Sequence, residues 1–571
     1  MMRVVLRNLT RVALAIALTV SGASAMAAGG SCPVRKAKLT EEDLEIARVA
    51  WKYMENNHNL ETGLINAVNN YPSTTMWDTG SVLAAILTAH EVGFIQKKRF
   101  DEMVSQILTT LEHLQLFNGD VPNKVYNTKN GMMVNYANRP SEKGIGVSAL
   151  DLGRMISWFN ILSCLHPQHK EASERVLATW NYCPVIRSGQ MYGMAWNEGK
   201  TKAIRLQEGR LGYEQYAGKV FRMMGFNQDI SATYHNKFTT TAKVESMDIY
   251  VDKRDAMTLG ANNYVVAESY AMDAKENGID AELKPILEKI YRVQEKRWQR
   301  TKIVTAVSED NVDRRPYFVY NTIFSNGEPW AAINDMGEDF EELKTTSTKA
   351  ALSMAYLFPD RPYSKVMKER IWDARNPKGG WYSGVYEDHK GFNTATTGNT
   401  NGVIMSLILG KLYGSLNAIC SKCKKGVSIK PELVASVNDL KACAAARPTR
   451  LAAHDKRVKK GRDILDKQIE IAKAIARKES AKDIDALIAQ IQGFEAQAKA
   501  GKGKEAGAGV KGLKRTIWNM SMKLESEQKA LRSLMGPIDA LSGKWTYGGK
   551  ASSADLRGKL KAVADRLRAG G

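Results

Sequence analysis

Cysteine is scarce. Six residues (Cys32, Cys164, Cys183, Cys420, Cys423 and Cys443) in a chain of 571 are too few and too scattered to build a disulfide scaffold. Stability must come mainly from apolar burial, and 44% hydrophobic residues can supply it. That composition excludes a collagen-like, mucin-like or wholly disordered chain. At ~100 to 200 residues per domain the length allows two to four domains, or one large helical or barrel domain. Beyond the first segment no stretch approaches the ~20 apolar residues that span a bilayer. Acidic residues are also short, 61 against 82 basic, for a net charge of +21.

What is present begins with a secretory pattern. Arg3, Arg7 and Arg11 form a basic region, Val12 to Val20 an apolar one, and Ala23-Ser24-Ala25 or Ala25-Met26-Ala27 a small-residue cleavage site. Residues 1–28 are therefore expected to be a removed signal, 29–39 a linker, and the mature protein periplasmic or secreted, where disulfides form. The shortage of acid is local. From Lys424 to Gly571 there are 32 basic and 16 acidic residues (+16), whereas the first 423 hold 50 and 45 (+5). Aromatics show the opposite bias: of 45 in the chain, that last stretch holds only Phe494, Trp518, Trp545 and Tyr547. Two regions, 40–416 and 417–571, are expected to meet near Cys420.

In the first region, apolar residues recur at helical spacing between Gly, Pro and Asn clusters. The pattern predicts helices near 40–58, 78–94, 98–115, 147–165, 169–182, 211–225, 264–277, 280–299, 346–357, 362–373 and 399–415. Short β-branched and aromatic runs, Lys302 to Val307 and Tyr317 to Ile323, interrupt them. About a dozen helices with short β excursions suggest a mostly α, (α/α)6 toroid of paired helices; a doubly wound sheet is disfavoured because strands do not alternate regularly with helices.

Cofactor patterns fail in context. Gly144-Ile145-Gly146-Val147-Ser148-Ala149 fits a loose dinucleotide pattern, but no strand leads into it; Gly193 to Thr201 has the wrong glycine spacing for a phosphate loop. Cys164-x-His166-x-x-His169 lacks a fourth metal partner, and Cys164 is expected to pair with Cys183 or to be buried. Cys420-x-x-Cys423 reads as part of a structural disulfide, in one version including Cys443. Neither cofactor nor metal is expected.

Carboxylates embedded among aromatics and glycines remain. They are Glu208 to Tyr216 (EGRLGYEQY), Trp77-Asp78-Thr79-Gly80-Ser81, Gly144 to Gly153 with Asp151, Glu268-Ser269-Tyr270, and Ser308-Glu309-Asp310-Asn311. Paired carboxyls flanked by flat rings suit carbohydrate, because glycosidic cleavage needs one carboxyl to donate a proton and another to activate water or attack carbon. Trp77, Tyr213, Tyr216, Tyr270 and Trp381 are candidate stacking platforms, and core packing is an equally good reading of each. Asp78, Glu208, Arg210, Glu268, Asp310 and Asn401 complete the candidate substrate contacts.

These motifs, in order, carry a resemblance. Thr74 to Ser81 before a helix ending in Glu91-Val92-Gly93-Phe94-Ile95, then Glu208 to Tyr216, Ala267 to Tyr270, Thr305 to Tyr320 and Thr397 to Ile404 together resemble the bacterial domain-of-unknown-function family 3131 over roughly residues 40–416. That family is in turn similar to glucoamylase-like domains and endo-β-1,2-glucanases, which are (α/α)6 toroids. The resemblance implies a polysaccharide ligand. It also implies, from the Gly-Tyr-Glu element of those glucanases, Glu214 as general acid, and from their small-residue stretch with an acid before a helix, Asp151 as general base. Arg154, one turn on, departs from the relatives and is expected to lower the Asp151 pKa.

The basic tail has helical spacing through Leu465, Ile469, Ala472, Ala476, Ile484, Leu487, Ile488 and Ile491, then a glycine-rich stretch, Gly501 to Gly512, expected to be a flexible break. Further helices are expected at 513–534, stopped by Gly536-Pro537, and at 554–569, giving a helical hairpin or coiled coil. It reads as a scaffold arm or an electrostatic anchor to anionic envelope polymer, not as a nucleic-acid binder. Two functions fit the whole: a glycoside hydrolase or transglycosylase, and a non-catalytic polysaccharide-binding or assembly protein.

Overall fold

A computed structural model describes residues 33–208, 211–255, 262–388 and 391–570. The expected signal segment and Cys32 lie outside these residues. The chain divides into two compact units, residues 1–462 and 463–571, the division falling inside one helix, Arg447–Lys499.

All eleven helices expected in the first region are present, with ends shifted by a few residues: α1 Glu41–Asn57, α2 Met76–Glu91, α3 Lys97–His113, α4 Ala149–Leu165, α5 Lys170–Ala178, α6 Tyr213–Met223, α7 Ala267–Met272 with a π turn to Asn277, α8 Leu283–Thr301, α9 Thr348–Leu357, α10 Pro362–Ile371 and α11 Gly398–Tyr413. They fall into two physical classes. Helices α2, α4 and α11 are apolar on every face and almost wholly buried, whereas α3 buries a single stripe, Phe100, Met103, Val104, Ile107, Leu108 and Leu111. The first class must be surrounded by protein. Accordingly α2, α4, α6, α7, α9 and α11 pack each on the next, and α11 returns to α2 to close an inner ring. Outside it, α1 backs α11 and α2, α3 backs α2, α5 backs α4, α8 backs α7 and α10 backs α9. This is the (α/α)6 toroid.

The strands are short and antiparallel, and they lead into the inner helices: Ser73–Thr75 before α2, Tyr264–Val265 before α7, Thr345–Ser347 before α9 and Phe392–Thr396 before α11. Val147 bridges Met194 just ahead of α4. The first turns of the inner helices are thereby held at one end of the ring. Tyr317 to Ile323 does contain a strand, Phe318–Asn321, but Lys302 to Val307 does not; the partner strand is Glu309–Asn311. A hairpin, Thr239–Val244 with Met247–Asp252, packs on α8 where the chain passes from α6 to α7.

The first unit runs on past residue 416. Helix α12, Leu416–Lys422, packs on α4, and Leu416, Val427, Ile429 and Val437 join the toroid core. Cys164 pairs with Cys420 and Cys183 with Cys443, so the expected Cys164–Cys183 pairing does not form, whereas Cys420 of the CxxC and Cys443 are both in structural disulfides, though not with each other. No described cysteine is free.

The first unit continues with α13 Pro431–Ser436 and α14 Leu440–Ala445; α15 Arg447–Lys499 runs across the division, and the second unit adds α16 Gly503–Lys523, α17 Gln528–Arg532, α18 Met535–Thr546 and α19 Ala554–Ala569. Residues 463–571 have their own apolar core, including Ile484, Ile491, Val510, Ile517, Ile538, Trp545, Leu560 and Val563. The expected flexible break at Gly501 to Gly512 is mostly helix. A side chain on Gly503 would meet the Trp545 carbonyl at 2.2 Å and one on Gly509 the Phe494 ring at 2.4 Å, so these glycines allow close helix contact rather than a loop. Pro537 is accommodated in the first turn of α18, where its missing N–H is not needed. Among the described residues no single helix is long and apolar enough to cross a membrane; the bent pair α11 and α12 meets that test by composition, but α11 is an inner helix of the ring.

Candidate active site

Because the inner helices begin at one end of the ring, residues of their first turns converge there, the second or third in five of them and the first, Tyr213, in α6. Trp77 and Asp78 come from α2, Asp151 from α4, Glu268 from α7, Lys349 from α9 and Asn399 from α11. The fourth residue of a helix lies ~200° around from the second, and Tyr216, Tyr270 and Asn401 occupy that position. All three are in the core: Arg154 and Glu276 bond the Tyr216 hydroxyl, Tyr270 stacks on Tyr234 at 5.7 Å, and Asn401 holds the Trp381 backbone. Asn399, two residues earlier, is the member of that motif at the collar, a distinction the sequence motif did not make.

The collar residues are wired together. Trp77 Nε1 donates to Asn399 Oδ1 at 3.0 Å, and Asn399 Nδ2 to Glu268 Oε1 at 3.2 Å. Glu268 Oε2 lies 2.6 Å from Lys349 Nζ and accepts from Ser308 Oγ and Tyr213 Oη at 2.7 and 3.1 Å. Against the pull of burial, Lys349 and Ser308 hold the Glu268 carboxyl below its ordinary range. Asp310 is buried 3.6 Å from Lys349, and burial pushes it up to about 7 against the pull of Lys349 and Ser347. Glu268 and Asp310 are thus interior members of the collar, not surfaces that a polymer could touch.

Asp151 is different. It is half-buried in the first turn of α4, where Ser148 caps the helix. Glu208 reaches the same serine: its Oε2 accepts from Ser148 Oγ at 3.1 Å and from the Leu150 N–H at 3.4 Å. That approach depends on Gly193 in the neighbouring strand, where a side chain would meet Glu208 Oε1 at 2.3 Å. Burial and the negative charge of Glu208 push Asp151 up to about 7, Asp78 adding to the effect and Lys124 opposing it. The expected lowering by Arg154 does not occur. Arg154 turns inward to Glu276 at 3.3 Å and lies 4.9 Å from the Trp77 ring centre. Asp78, half-buried on the adjacent inner helix, accepts from Thr75 Oγ1 at 2.7 Å, and burial raises its pKa against Lys349 and Arg154.

Glu214, expected as the general acid, is not at the collar. It is fully buried, Arg254 bonds it through Nη2, and Ser231 Oγ donates to its Oε1 at 3.1 Å. Burial pushes it up while Arg254 pulls it down, but a carboxyl with no exposed surface presents no oxygen to a ligand. Arg254 also binds Asp252 at the end of the hairpin strand, so Glu214 fastens that hairpin to α6. Glu214→Gln is therefore expected to cost about 3 to 5 kcal/mol of stability, since a buried ion pair loses one member, with turnover per folded molecule unchanged; a thermal melt and an assay on the same sample check it.

Of the five expected platforms only Trp77 retains exposed surface. Tyr213, Tyr216, Tyr270 and Trp381 are in the core, Trp381 donating to the Ile46 carbonyl at 3.0 Å. Arg210 lies outside the described residues. The sequence reading missed Lys349, Asn399 and two rings: Tyr320, half-buried and stacked on Tyr264 at 4.2 Å, and the exposed Tyr136, whose hydroxyl feels the charges of Asp151 and Glu208. Only the fold brings residues so far apart in sequence to one rim. The Gly144 to Ala149 stretch is no nucleotide loop: Asn123 Oδ1 binds the N–H groups of Ile145 and Gly146.

A family model described as a protein of unknown function (DUF3131) matches residues 45–414. No curated protein matches the sequence. Among solved structures, a candidate glucoamylase from Bacteroides caccae is 13% identical, with 72% of this chain and 98% of that chain covered at a TM-score of 0.50. A second, from Bacteroides fragilis, is also 13% identical, with 71% and 96% covered at 0.50. An endo-β-1,2-glucanase from Chitinophaga pinensis, solved with sophorotriose and glucose, is 13% identical, with 74% and 98% covered at 0.50. At such identity the likeness establishes the toroid and nothing finer.

Proposed function

The chain belongs to the DUF3131 family of unknown function, and from that premise we propose that it is a periplasmic or secreted glycoside hydrolase or transglycosylase acting on a β-glucan or another exopolysaccharide. The observation that carries this reading is Asp151, a half-buried carboxyl pushed to about 7, beside a second carboxylate at the converging helix starts. Such a group holds its proton near neutral pH and can give it to the departing glycosidic oxygen. Asp78, on the adjacent helix, is the carboxylate that activates water or attacks the sugar carbon. Glu208 is a positioning residue that keeps the proton on Asp151. The helix N-termini around them add partial positive charge where the departing oxygen becomes negative. The oligosaccharide complex of the Chitinophaga glucanase supports a glucan chain as ligand. Two disulfides closing 256 and 260 residues support an oxidising compartment. A purely binding role is less well supported, because four of the five expected aromatic platforms lie in the core. The test is incubation of the mature protein with a panel of β-glucans and acidic exopolysaccharides, followed by product sizing. Shortened chains are expected from at least one; unchanged lengths throughout, with the protein folded, would leave the binder.

The basic excess supports a second contact, with anionic envelope polymer. Residues 424–462 hold 11 basic and 3 acidic side chains, and 463–571 hold 21 and 13. Deleting 463–571 removes +8 and is expected to weaken retention on an acidic polymer at low salt while sparing cleavage of neutral glucan. The difference should fade towards 0.15 M salt, where charges more than ~8 Å apart are screened. Undiminished, salt-independent retention by the shortened chain would place polymer binding in the toroid.

A further inference from the structure

The ends of α2 and α4 remote from the carboxyl collar bring together His90 and Glu91, the last two residues of the α2 stretch, and His166, which follows α4. One donor atom from each lies within 4.8 Å of the others. His166 Nε2 and Glu91 Oε1 are 3.0 Å apart. His90 Nδ1 sits 3.3 Å from the Ile95 carbonyl oxygen, and only a protonated nitrogen can donate there, so in the neutral ring the Nε2 lone pair is free. Phe100 stacks on His90 at 4.6 Å and lies 4.5 Å from the His166 ring, fixing both rings. The other oxygen of Glu91 is already occupied, by Arg35 Nη2 at 2.8 Å and the Tyr413 hydroxyl at 2.5 Å. Outer hydrogen bonds of this kind orient a ligating carboxylate while leaving its second oxygen for an ion. Helix C-termini carry partial negative charge, which favours a cation at this end of the ring.

We infer that His90, Glu91 and His166 form a transition-metal site that takes zinc through two imidazole nitrogens and one carboxylate oxygen, with water in the fourth position. This is the donor set of an open tetrahedral zinc site. Zinc bonds of ~2.0 to 2.2 Å put tetrahedral donors roughly 3.3 Å apart. His166 and Glu91 are already in that range, and the His90 donor lies within 4.8 Å of both. The grouping differs from the Cys164, His166, His169 set visible in the sequence: Cys164 is in a disulfide, and His169 Nε2 faces Asp101 Oδ1 at 2.8 Å. Standing apart from Asp151, the ion would act as a clip between two inner helices, tied through Glu91 to Arg35 and to the end of α11.

The test is a calorimetric titration of chelator-treated full-length protein with Zn2+, paired with thermal melts. One equivalent is expected to bind and raise the melting temperature. His90→Gln and His166→Gln should each weaken binding by at least about 100-fold, while His169→Gln leaves it unchanged. In the wild-type protein, which needs no variant to fold, Zn2+ should protect His90 and His166 but not His169 from an imidazole-acylating reagent. Failure to saturate at one equivalent, wild-type binding by both glutamine variants, or equal labelling with and without zinc overturns the assignment.

Discussion

Asp151→Asn is expected to lower turnover on the cleaved polymer by roughly 10² to 10⁴, the span that positioned acid–base groups contribute, while binding of the uncleaved polymer persists. Asparagine keeps the size of the side chain and its place beside Ser148 but has no proton to give. The stability measurement on the same variant runs the other way. A carboxyl raised to about 7 in the folded protein lends stability that is complete below the unfolded value near ~4 and is lost as pH rises through about 7. Wild-type protein should therefore lose stability between those limits, and Asp151→Asn should flatten that slope and melt higher above pH 7. A residue that served only the N-terminus of α4 would behave oppositely, because removing negative charge from a helix start costs stability. Glu208→Gln provides the companion test. With that charge gone Asp151 titrates lower, so the alkaline limb of the turnover profile moves to lower pH. An active Asp151→Asn protein, or an unmoved limb in Glu208→Gln, removes the respective residue from the mechanism.

A chain cut at Gly414 is expected not to give the cooperative melt that a chain cut at Arg462 gives. The shorter chain loses the partners of Cys164 and Cys183, and disulfides closing loops this long contribute about 2 to 5 kcal/mol each. It also uncovers the faces of the toroid core on which Leu416, Val427, Ile429 and Val437 pack. Total stability of 5 to 15 kcal/mol is typical of a domain, so these losses together approach the whole. Circular dichroism melts of both chains, oxidised and reduced, check this. Two melting temperatures within a few degrees of each other would show that 417–462 is an appendage and that the ring is complete at α11.

The expected boundary near Cys420 came from the fading of aromatic content there, whereas the apolar core of the first unit runs past it. Composition reports what a segment is made of, not where it packs. Residues 417–462 are basic and poor in aromatics, yet Val427, Ile429, Val437 and two disulfide-bonded cysteines bind them to the toroid core. The glycines from 501 to 512 misled for a related reason, since a missing side chain serves close helix packing as well as it serves a turn. Periodicity fared better because it is a local property that a core must respect: eleven helices, and the contrast between α2, α4 and α11, apolar all round, and one-sided α3, follow from spacing alone.

The candidate site divides along the same line. Sequence by itself determined that carboxylates sit near helix starts among glycines and aromatics, and so named Asp78, Asp151, Glu208, Glu214, Glu268 and Asp310 as the group to consider. Which of them can meet a ligand was decided only by the tertiary structure, because an ionisable group takes its character from burial and from neighbours distant in the chain. Gly193 lets Glu208 reach Ser148, where its charge adds to burial in pushing Asp151 up to about 7. Arg254, forty residues after Glu214, ties that acid into the core. A rotation of ~200° along each inner helix hides Tyr216, Tyr270 and Asn401 while it turns Trp77 and Asn399 to the rim.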